Sequence, residues 1–247
     1  MKKHKSLFNE AIIFIRSLTF SISMVVFTVF YGMVCVASYP FPLRYRYKVV
    51  MVWTNTIVWL CKFICRINYT VEGLENIPKD RVGVVLSKHQ STWETCYLPD
   101  HFPNSAVIVK RELLWIPFFG WGMKATSPIA INRAEKSSAM EQVMRKGKKA
   151  LAENRWIIVY PEGTRTTPGK PGKYHVGGAR VAVAMGAPVV PVAHNAGYHW
   201  SKRKFMKRPG TIRIVIGKPI ETIGKTPESV MEEAKNWIEE TCQRIGK

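Results

Sequence analysis

Acidic residues are scarce in this 247-residue chain, which carries 17 Asp and Glu against 37 Lys and Arg. The formal net charge of +20 at pH 7 indicates an anionic partner: a nucleic acid, an acidic carrier or a membrane surface. Internal repeats, low-complexity segments and long linkers are also absent. The length therefore predicts one α/β domain with a short appendage and a sizeable hydrophobic core.

Cysteine is sparse and follows no known pattern. The number of cysteines is odd, their spacing matches no zinc site, and a disulfide framework is not expected in a chain of this size. Because none lies near a candidate base by motif, a cysteine nucleophile is not expected. We expect free thiols that face the cytosol or lipid: Cys35, Cys61, Cys65, Cys96 and Cys242.

Charge is absent from residues 17–39, and a second uncharged stretch covers residues 49–61. The first stretch has 23 residues, which is long enough to cross a bilayer as a helix. The preceding Lys2, Lys3 and Lys5 are compatible with a signal peptide. However, the length of the apolar run and the second stretch after it favour a retained membrane anchor.

The orientation of this anchor stays open. Positive charges flank the first uncharged stretch on both sides, so the positive-inside rule gives no decisive orientation. They are Lys2, Lys3, Lys5 and Arg16 before it, and Arg44, Arg46 and Lys48 after it. A single span would place the rest of the chain on the side opposite the N-terminus.

His89 and a carboxylate five positions later, Glu94, follow an apolar run at residues 82–87 that predicts a buried strand. If a helix begins near Ser91, the imidazole lies at the carboxyl end of the strand and the carboxylate lies one helical turn further on. This spacing indicates a general base beside a group that orients it, and a substrate hydroxyl can serve as the nucleophile. Alone, the pattern is more often a strand-end histidine at a helix start, so other motifs must support the catalytic interpretation.

A second motif, Tyr-Pro-Glu-Gly-Thr-Arg at residues 160–165, follows another short apolar strand. In open α/β sheets, ligands bind at the carboxyl ends of the strands. Gly163 lets the backbone approach a ligand closely, and Arg165 offers a planar fork that matches a phosphate. The alternative is an ordinary loop with an exposed arginine.

Two further cations follow predicted strands. Lys110 comes after the strand at residues 106–109, and Arg133 ends the strand that begins at residue 129. Core packing explains the aromatic segment between them but not the cations, since each stands where a charge can face a shared cleft. The strand at residues 189–192, which leads to His194, carries little information by itself.

Taken in order, these four blocks resemble the glycerolipid acyltransferase family, most closely the 1-acyl-sn-glycerol-3-phosphate acyltransferases. The resemblance covers roughly residues 70–220, and the combination of H-x4-acid with P-E-G-T-R is specific. It implies transfer of an acyl group from acyl-CoA or acyl carrier protein to the sn-2 hydroxyl of lysophosphatidic acid, without a metal or organic cofactor. A different lysolipid acceptor and a non-catalytic lipid-binding protein remain as alternatives.

The resemblance also implies roles by position. His89 would deprotonate the acceptor hydroxyl and Glu94 would orient it, although the family usually has an aspartate in place of this glutamate. Arg133 and Arg165 would recognise the phosphate, and the aromatic segment at residues 115–121 is a candidate wall for the acyl chain. Further residues would shape the acceptor site: Lys110, Glu162, Gly163 and Thr164.

A basic cluster near the C-terminal third comprises Lys202, Arg203, Lys204, Lys207 and Arg208, interleaved with Trp200, Phe205 and Met206. Solvated surface charge and docking on anionic lipid headgroups are both open, the latter with about 1 kcal/mol for each basic side chain. Nucleic-acid binding is not expected, because no nucleic-acid-binding module accompanies the cluster and the apolar N-terminus favours lipid. The resemblance favours a two-helix element buried in one membrane leaflet, with the catalytic domain in the cytoplasm.

The order of predicted elements indicates an α/β fold, with a mixed sheet flanked by helices and an N-terminal membrane-embedded two-helix element. We expect residues 1–66 to form the membrane-anchoring helices and residues 67–247 to form the acyltransferase domain. Further helices are predicted at residues 137–153, 176–185 and 227–244.

Overall fold

A computed structural model describes residues 2–132 and 136–246, with side chains from residue 7 onwards except at positions 136–138. Its α-helices are α1 (Lys2–Ala37), α2 (Leu43–Cys65), α3 (Trp93–His101), α4 (Phe119–Ala125), α5 (Lys136–Ala152), α6 (Gly177–Ala184) and α7 (Pro227–Ile245). Its strands are β1 (Ile67–Glu72), β2 (Val84–Ser87), β3 (Ala106–Lys110), β4 (Ile129–Ile131), β5 (Ile157–Val159), β6 (Val189–His194) and β7 (Gly210–Ile216).

The two N-terminal helices, α1 and α2, are long and apolar enough to cross a membrane by length and composition. Large apolar side chains of α1 remain exposed, among them Phe8, Phe14 and Val25. Another side of α1 packs on the rest of the chain, where the buried Phe20 meets Trp200 edge to face at 5.1 Å between ring centroids. One side of α1 therefore packs on the core, while another side exposes apolar side chains.

Helix α2 begins directly after Pro42 and ends at Cys65. The next residue, Arg66, adopts a left-handed conformation and its N–H bonds to the Cys61 carbonyl, which stops the helix and turns the chain into β1. Ile57 and Cys61 are buried in the same core cluster as strand residues of the sheet. The α2 helix therefore packs against the sheet domain.

The seven strands form one mixed sheet in the order β1-β7-β6-β2-β5-β3-β4, flanked by helices as predicted. All neighbouring pairs are parallel except β6 and β7, which are antiparallel. Side chains alternate between the two faces: Val84 and Leu86 of β2 lie in one core cluster, and Val85 lies in the other. Because β2, β3, β4, β5 and β6 run in one direction, the residues that follow them meet at one edge of the sheet.

Helix α6 shows why small residues follow the predicted phosphate motif. A Cβ at Gly178 would lie 2.9 Å from Leu86 of β2, so glycine lets this helix pack directly on the central strand. The predicted helices at residues 137–153, 176–185 and 227–244 are confirmed as α5, α6 and α7, with ends that differ by one residue.

Candidate active site

A cavity of about 620 Å³ opens at the edge of the sheet where β2, β3 and β5 end. It brings together five of the predicted site residues: His89, Lys110, Gly163, Thr164 and Arg165. Arg133 lies outside the described residues. Among the side chains that the structure describes, no group of three or more His, Cys, Asp or Glu is placed to hold a metal ion.

His89 and Glu94 form a hydrogen-bonded pair, with 2.9 Å between His89 Nδ1 and Glu94 Oε1. The glutamate side chain is 1% exposed, and the imidazole is 16% exposed where it meets the cavity. Since an ionised carboxylate only accepts hydrogen bonds, we assign the imidazole proton to Nδ1. This leaves the lone pair of Nε2 for a substrate, so the pair has the geometry of a general base and its orienting acid.

Local backbone bonds explain how the pair forms. Glu94 lies in the first turn of α3, and its Oε1 also accepts the N–H groups of Gln90 at 2.9 Å and Ser91 at 2.8 Å. A carboxylate that reaches back to N–H groups before a helix stabilises the helix start. The helix begins at Trp93, two residues after the position assumed from the sequence.

Opposing effects set the pKa of Glu94. Burial raises it, but His194, the hydrogen bond and charge of His89 and the Ser91 N–H lower it by more, so the pKa lies below its ordinary value. The carboxylate therefore stays ionised at neutral pH and can stabilise a positive charge that develops on the imidazole.

A second histidine, His194, lies behind the pair and was not among the predicted site residues. Its Nε2 donates to the carbonyl of Lys88 at 2.8 Å, and its Nδ1 accepts the N–H of Ala196 at 3.3 Å. Burial lowers the pKa of His194, although the nearby Glu94 opposes this effect. A neutral His194 thus holds the backbone one residue before His89, and the only sequence signal was its position at the end of β6.

Residues 160–166 hold the loop between β2 and α3, residues 88–92, which we call the histidine loop. Thr166 N–H donates to the His89 carbonyl at 2.8 Å, and Arg165 Nη1 donates to Thr92 Oγ1 at 2.7 Å. The ring of Tyr160 stacks on the imidazole with 4.2 Å between centroids and 25° between planes. The two motifs therefore form one unit that fixes the direction of the imidazole.

Glu162 does not line the cavity, unlike Lys110, Gly163 and Thr164, which were also predicted to shape the acceptor site. Its carboxylate is fully buried, lies 2.7 Å from Lys88 Nζ and accepts the His89 N–H at 3.3 Å. Lys88 Nζ lies equally close to Glu239 of α7, and Tyr174 donates its hydroxyl to the same Glu239 oxygen at 2.6 Å. Glu162 therefore belongs to a buried charge network that supports the histidine loop from the side opposite the cavity.

The cavity continues from His89 between α1, α2 and α4. Its walls there are mainly apolar and include Tyr31, Val50, Met51, Trp53, Phe119 and Met123. The aromatic segment at residues 115–121 contributes only part of the wall that we predicted. Phe118 and Phe119 line the cavity, whereas Trp115 is 65% exposed and faces outward.

The basic cluster at residues 202–208 is not a uniformly solvated surface. Lys202 lines the cavity mouth and donates to Thr164 Oγ1 at 2.8 Å. Lys207 is buried against aromatic rings, and Arg208 forms an ion pair with Glu10 of α1 at 2.6 Å. The interleaved aromatic residues were the sequence signal that this run packs against its surroundings.

The chain is similar to known proteins in both sequence and structure. Residues 68–195 match a family model described as acyltransferase. The chain is 44% identical over 210 residues to a 1-acyl-sn-glycerol-3-phosphate acyltransferase of Pseudomonas aeruginosa. This match covers 84% of this chain and 81% of that protein. The chain is also 30% identical over 186 residues to the human 1-acyl-sn-glycerol-3-phosphate acyltransferase beta. This match covers 74% of this chain but only 65% of the human protein.

A solved structure is similar over nearly the whole chain. The crystal structure of a 1-acyl-sn-glycerophosphate acyltransferase from Thermotoga maritima matches with a TM-score of 0.78 and 26% identity, and covers 99% of this chain and 98% of that one. The likeness therefore extends to the two N-terminal helices as well as the sheet domain.

Protonation of His194 should weaken the fold. Because burial holds its pKa below the ordinary value of 6.5, the native state takes up this proton less readily than the unfolded chain. The associated stability is present above the unfolded pKa and is lost as the pH falls through the folded pKa. Replacing His194 with Gln should therefore flatten the fall in unfolding free energy between about pH 7.5 and about pH 5.5, measured by denaturant titration in detergent. The exposed His175→Gln is the control, and a slope in His194→Gln equal to that of the wild type would contradict the assignment.

Replacement of Lys88 tests how much the buried charge network contributes to the free energy of unfolding. Lys88→Met leaves Glu162 and Glu239 facing each other without a cation, and should cost about 3–5 kcal/mol in unfolding free energy. Lys225→Met, which breaks the exposed pair with Glu233, should cost far less. Adding Glu162→Gln to Lys88→Met should restore part of the loss. Similar losses for the Lys88 and Lys225 variants would show that the network carries little stability.

Proposed function

The chain belongs to the acyltransferase family, and on that basis we propose that it moves a fatty acyl group from an acyl thioester to the free sn-2 hydroxyl of lysophosphatidic acid, giving phosphatidic acid. One observation carries this proposal: the His89–Glu94 pair opens into a cavity with cations at its mouth and apolar walls in its interior. A phosphate with a neighbouring hydroxyl fits the mouth, and a fatty chain fits the interior.

The proposed reaction uses His89 first as a base and then as an acid. Nε2 takes the proton of the acceptor hydroxyl while the oxygen attacks the thioester carbonyl, and an ester bond forms as the carbon–sulfur bond breaks. The imidazolium then gives the proton to the departing thiolate. Glu94 stabilises the imidazolium through Nδ1, and a positioned imidazole typically contributes about 10²–10⁴-fold to the rate.

Acceptor recognition is assigned to cations around the mouth. Arg165 uses one nitrogen for Thr92, which fixes the guanidinium while its other N–H groups can bind a phosphate. Lys110 is exposed at the same mouth. We assign Arg133 to the same phosphate from its sequence position alone, while Gly163 and Thr164 form the adjoining loop. This arrangement holds the acceptor hydroxyl near Nε2.

The proposed setting is a membrane, with the catalytic domain in the cytoplasm. The exposed apolar side chains of α1 and the length of both N-terminal helices support retention in lipid. The net charge of +20 supports contact with an anionic membrane surface. The same charge suits both proposed donors, acyl-CoA and acyl carrier protein.

Product analysis tests the proposed function directly. Purified protein in phosphatidylcholine nanodiscs is incubated with lysophosphatidic acid and either acyl-CoA or acyl carrier protein, and lipids are identified by mass spectrometry. Phosphatidic acid should form with at least one donor. Acyl transfer only to another lysolipid would reject the proposed acceptor, and no transfer at all would reject the reaction.

Loss of the imidazole should abolish most turnover. His89→Ala should lower kcat by at least about a hundredfold, while binding of lysophosphatidic acid changes little. Glu94→Gln should fall by a similar factor because it removes the charge that supports the imidazolium. Glu94→Asp keeps the charge but shortens the reach to Nδ1 and the two loop N–H groups, so its kcat should lie between those of Glu94→Gln and wild type. A Glu94→Gln protein with normal kcat would show that this residue only supports the fold.

Replacement of Arg165 tests phosphate recognition. Arg165→Lys keeps the charge but removes the planar fork, and should raise KM for lysophosphatidic acid about tenfold with a smaller effect on kcat. A monoacylglycerol, which lacks the phosphate, should be a poor acceptor for the wild type and should lose little more on mutation. Arg180→Lys, on the exposed Arg180–Glu228 pair, is the matched control. Equal losses with both acceptors would assign Arg165 to the fold rather than to the headgroup.

A further inference from the structure

Lys202 occupies a place that its sequence context did not indicate. It comes from the connection between β6 and β7, yet its Nζ donates to Thr164 Oγ1 at 2.8 Å and to the Arg165 carbonyl at 3.1 Å. The side chain is exposed and lines the mouth of the cavity that contains His89. These two bonds occupy two of the three N–H donors of the ammonium group, so one donor points to a ligand or solvent.

The mouth of the cavity is lined by three cations, Lys110, Arg165 and Lys202. Among the described residues, none of Lys110, Arg165 and Lys202 has a carboxylate partner. Other cations of the chain do have carboxylate partners, as with Lys88 and its two glutamates or Arg208 and Glu10. Burial and then the charges of Arg165, Arg203 and Lys110 hold the pKa of Lys202 below its ordinary value. The cations therefore repel one another until an anion binds between them.

We propose that Lys202 is a specificity-determining residue that reads the second negative charge of a phosphate monoester on the acceptor. The inference rests on the proposed function and deepens it. A phosphate monoester carries a charge of about −1.5 to −2 at pH 7, whereas a phosphodiester headgroup carries only one. The guanidinium of Arg165 is fixed by Thr92 and can bind one charged phosphate oxygen, and the adjoining Lys202 ammonium adds a donor and a positive charge for a second one.

Position favours the acceptor over the donor as the source of this phosphate. The 3′-phosphate of coenzyme A is also a monoester, so the two substrates share the chemistry that Lys202 would recognise. However, both residues that Lys202 contacts, Thr164 and Arg165, belong to the loop whose next residue bonds the backbone of His89. A phosphate on this loop lies beside the base that must reach the acceptor hydroxyl.

The segment that carries Lys202 is also held by contacts that do not involve the Lys202 side chain. The connection between β6 and β7 is fastened separately by Lys207 N–H, which donates to Ser17 Oγ at 2.8 Å, and by the Arg208–Glu10 pair. Removal of the Lys202 ammonium should therefore leave the segment folded. Lys204 is the matched control, since it is exposed in the same segment and carries the same charge.

The test compares Lys202→Gln, Lys202→Arg and Lys204→Gln with the wild type on two acceptors, lysophosphatidic acid and its phosphate monomethyl ester. Lys202→Gln should raise KM for lysophosphatidic acid roughly ten- to hundredfold, but by less than about threefold for the methyl ester. Lys202→Arg should restore most of the selectivity, and Lys204→Gln should match the wild type. Equal changes on both acceptors, or the same change in Lys204→Gln, would overturn the proposal.

Two further arms separate the sources of the phosphate and the two proposals. Acyl-CoA is replaced by acyl-dephospho-CoA, and a selectivity loss that follows the donor phosphate would overturn the assignment to the acceptor. Binding of lysophosphatidic acid and its methyl ester to nanodisc-embedded protein is measured without a donor. If the wild type transfers no acyl group to lysophosphatidic acid, the proposed function fails. The binding preference for the doubly charged headgroup, and its loss in Lys202→Gln, still decides the role of Lys202.

Discussion

One oxygen of Glu94 receives three hydrogen bonds, from the N–H groups of Gln90 and Ser91 and from Nδ1 of His89. The other oxygen, Oε2, is buried with no hydrogen-bond partner among the described residues, so these three donors compensate for the burial of the charge. They also join the end of β2, the start of α3 and the direction of the imidazole.

Neighbouring side chains of the histidine loop are held from opposite sides. His89 meets the cavity, while Lys88 reaches Glu162 and Glu239 behind it. The Lys88 carbonyl, in turn, accepts from His194 at the end of β6. Helix α7 thereby supports the histidine loop although none of its residues lines the cavity. In a buried, low-dielectric region such a network is rigid only when each charge has a partner, which is the arrangement seen for Lys88.

The parts of the site that local pattern determines were predictable. His89 and Glu94 lie within one loop and one helical turn, and parallel strands place Lys110 and Arg165 at the same edge, so spacing and strand order were sufficient. Contacts between distant positions were not predictable, since Glu162 and Glu239 lie 74 and 151 residues from Lys88 and no local pattern links them. The position of Lys202 at the cavity mouth was not predictable for a different reason. A basic run gives the amount of charge but not which side chains turn inward.

The structure shows which groups the few acidic residues bind. Several of the few carboxylates bind side chains of the protein itself. Glu94 orients His89, Glu162 and Glu239 neutralise Lys88, and Glu10 pairs with Arg208. In the part of the chain that the structure describes, the cations at the cavity mouth have no carboxylate partner and can bind an anionic ligand. They are also tied to the apolar helix α1, because the segment that carries Lys202 bonds to Ser17 a few residues further on. The exposed apolar side of α1 and the cations at the cavity mouth are thus joined through this segment.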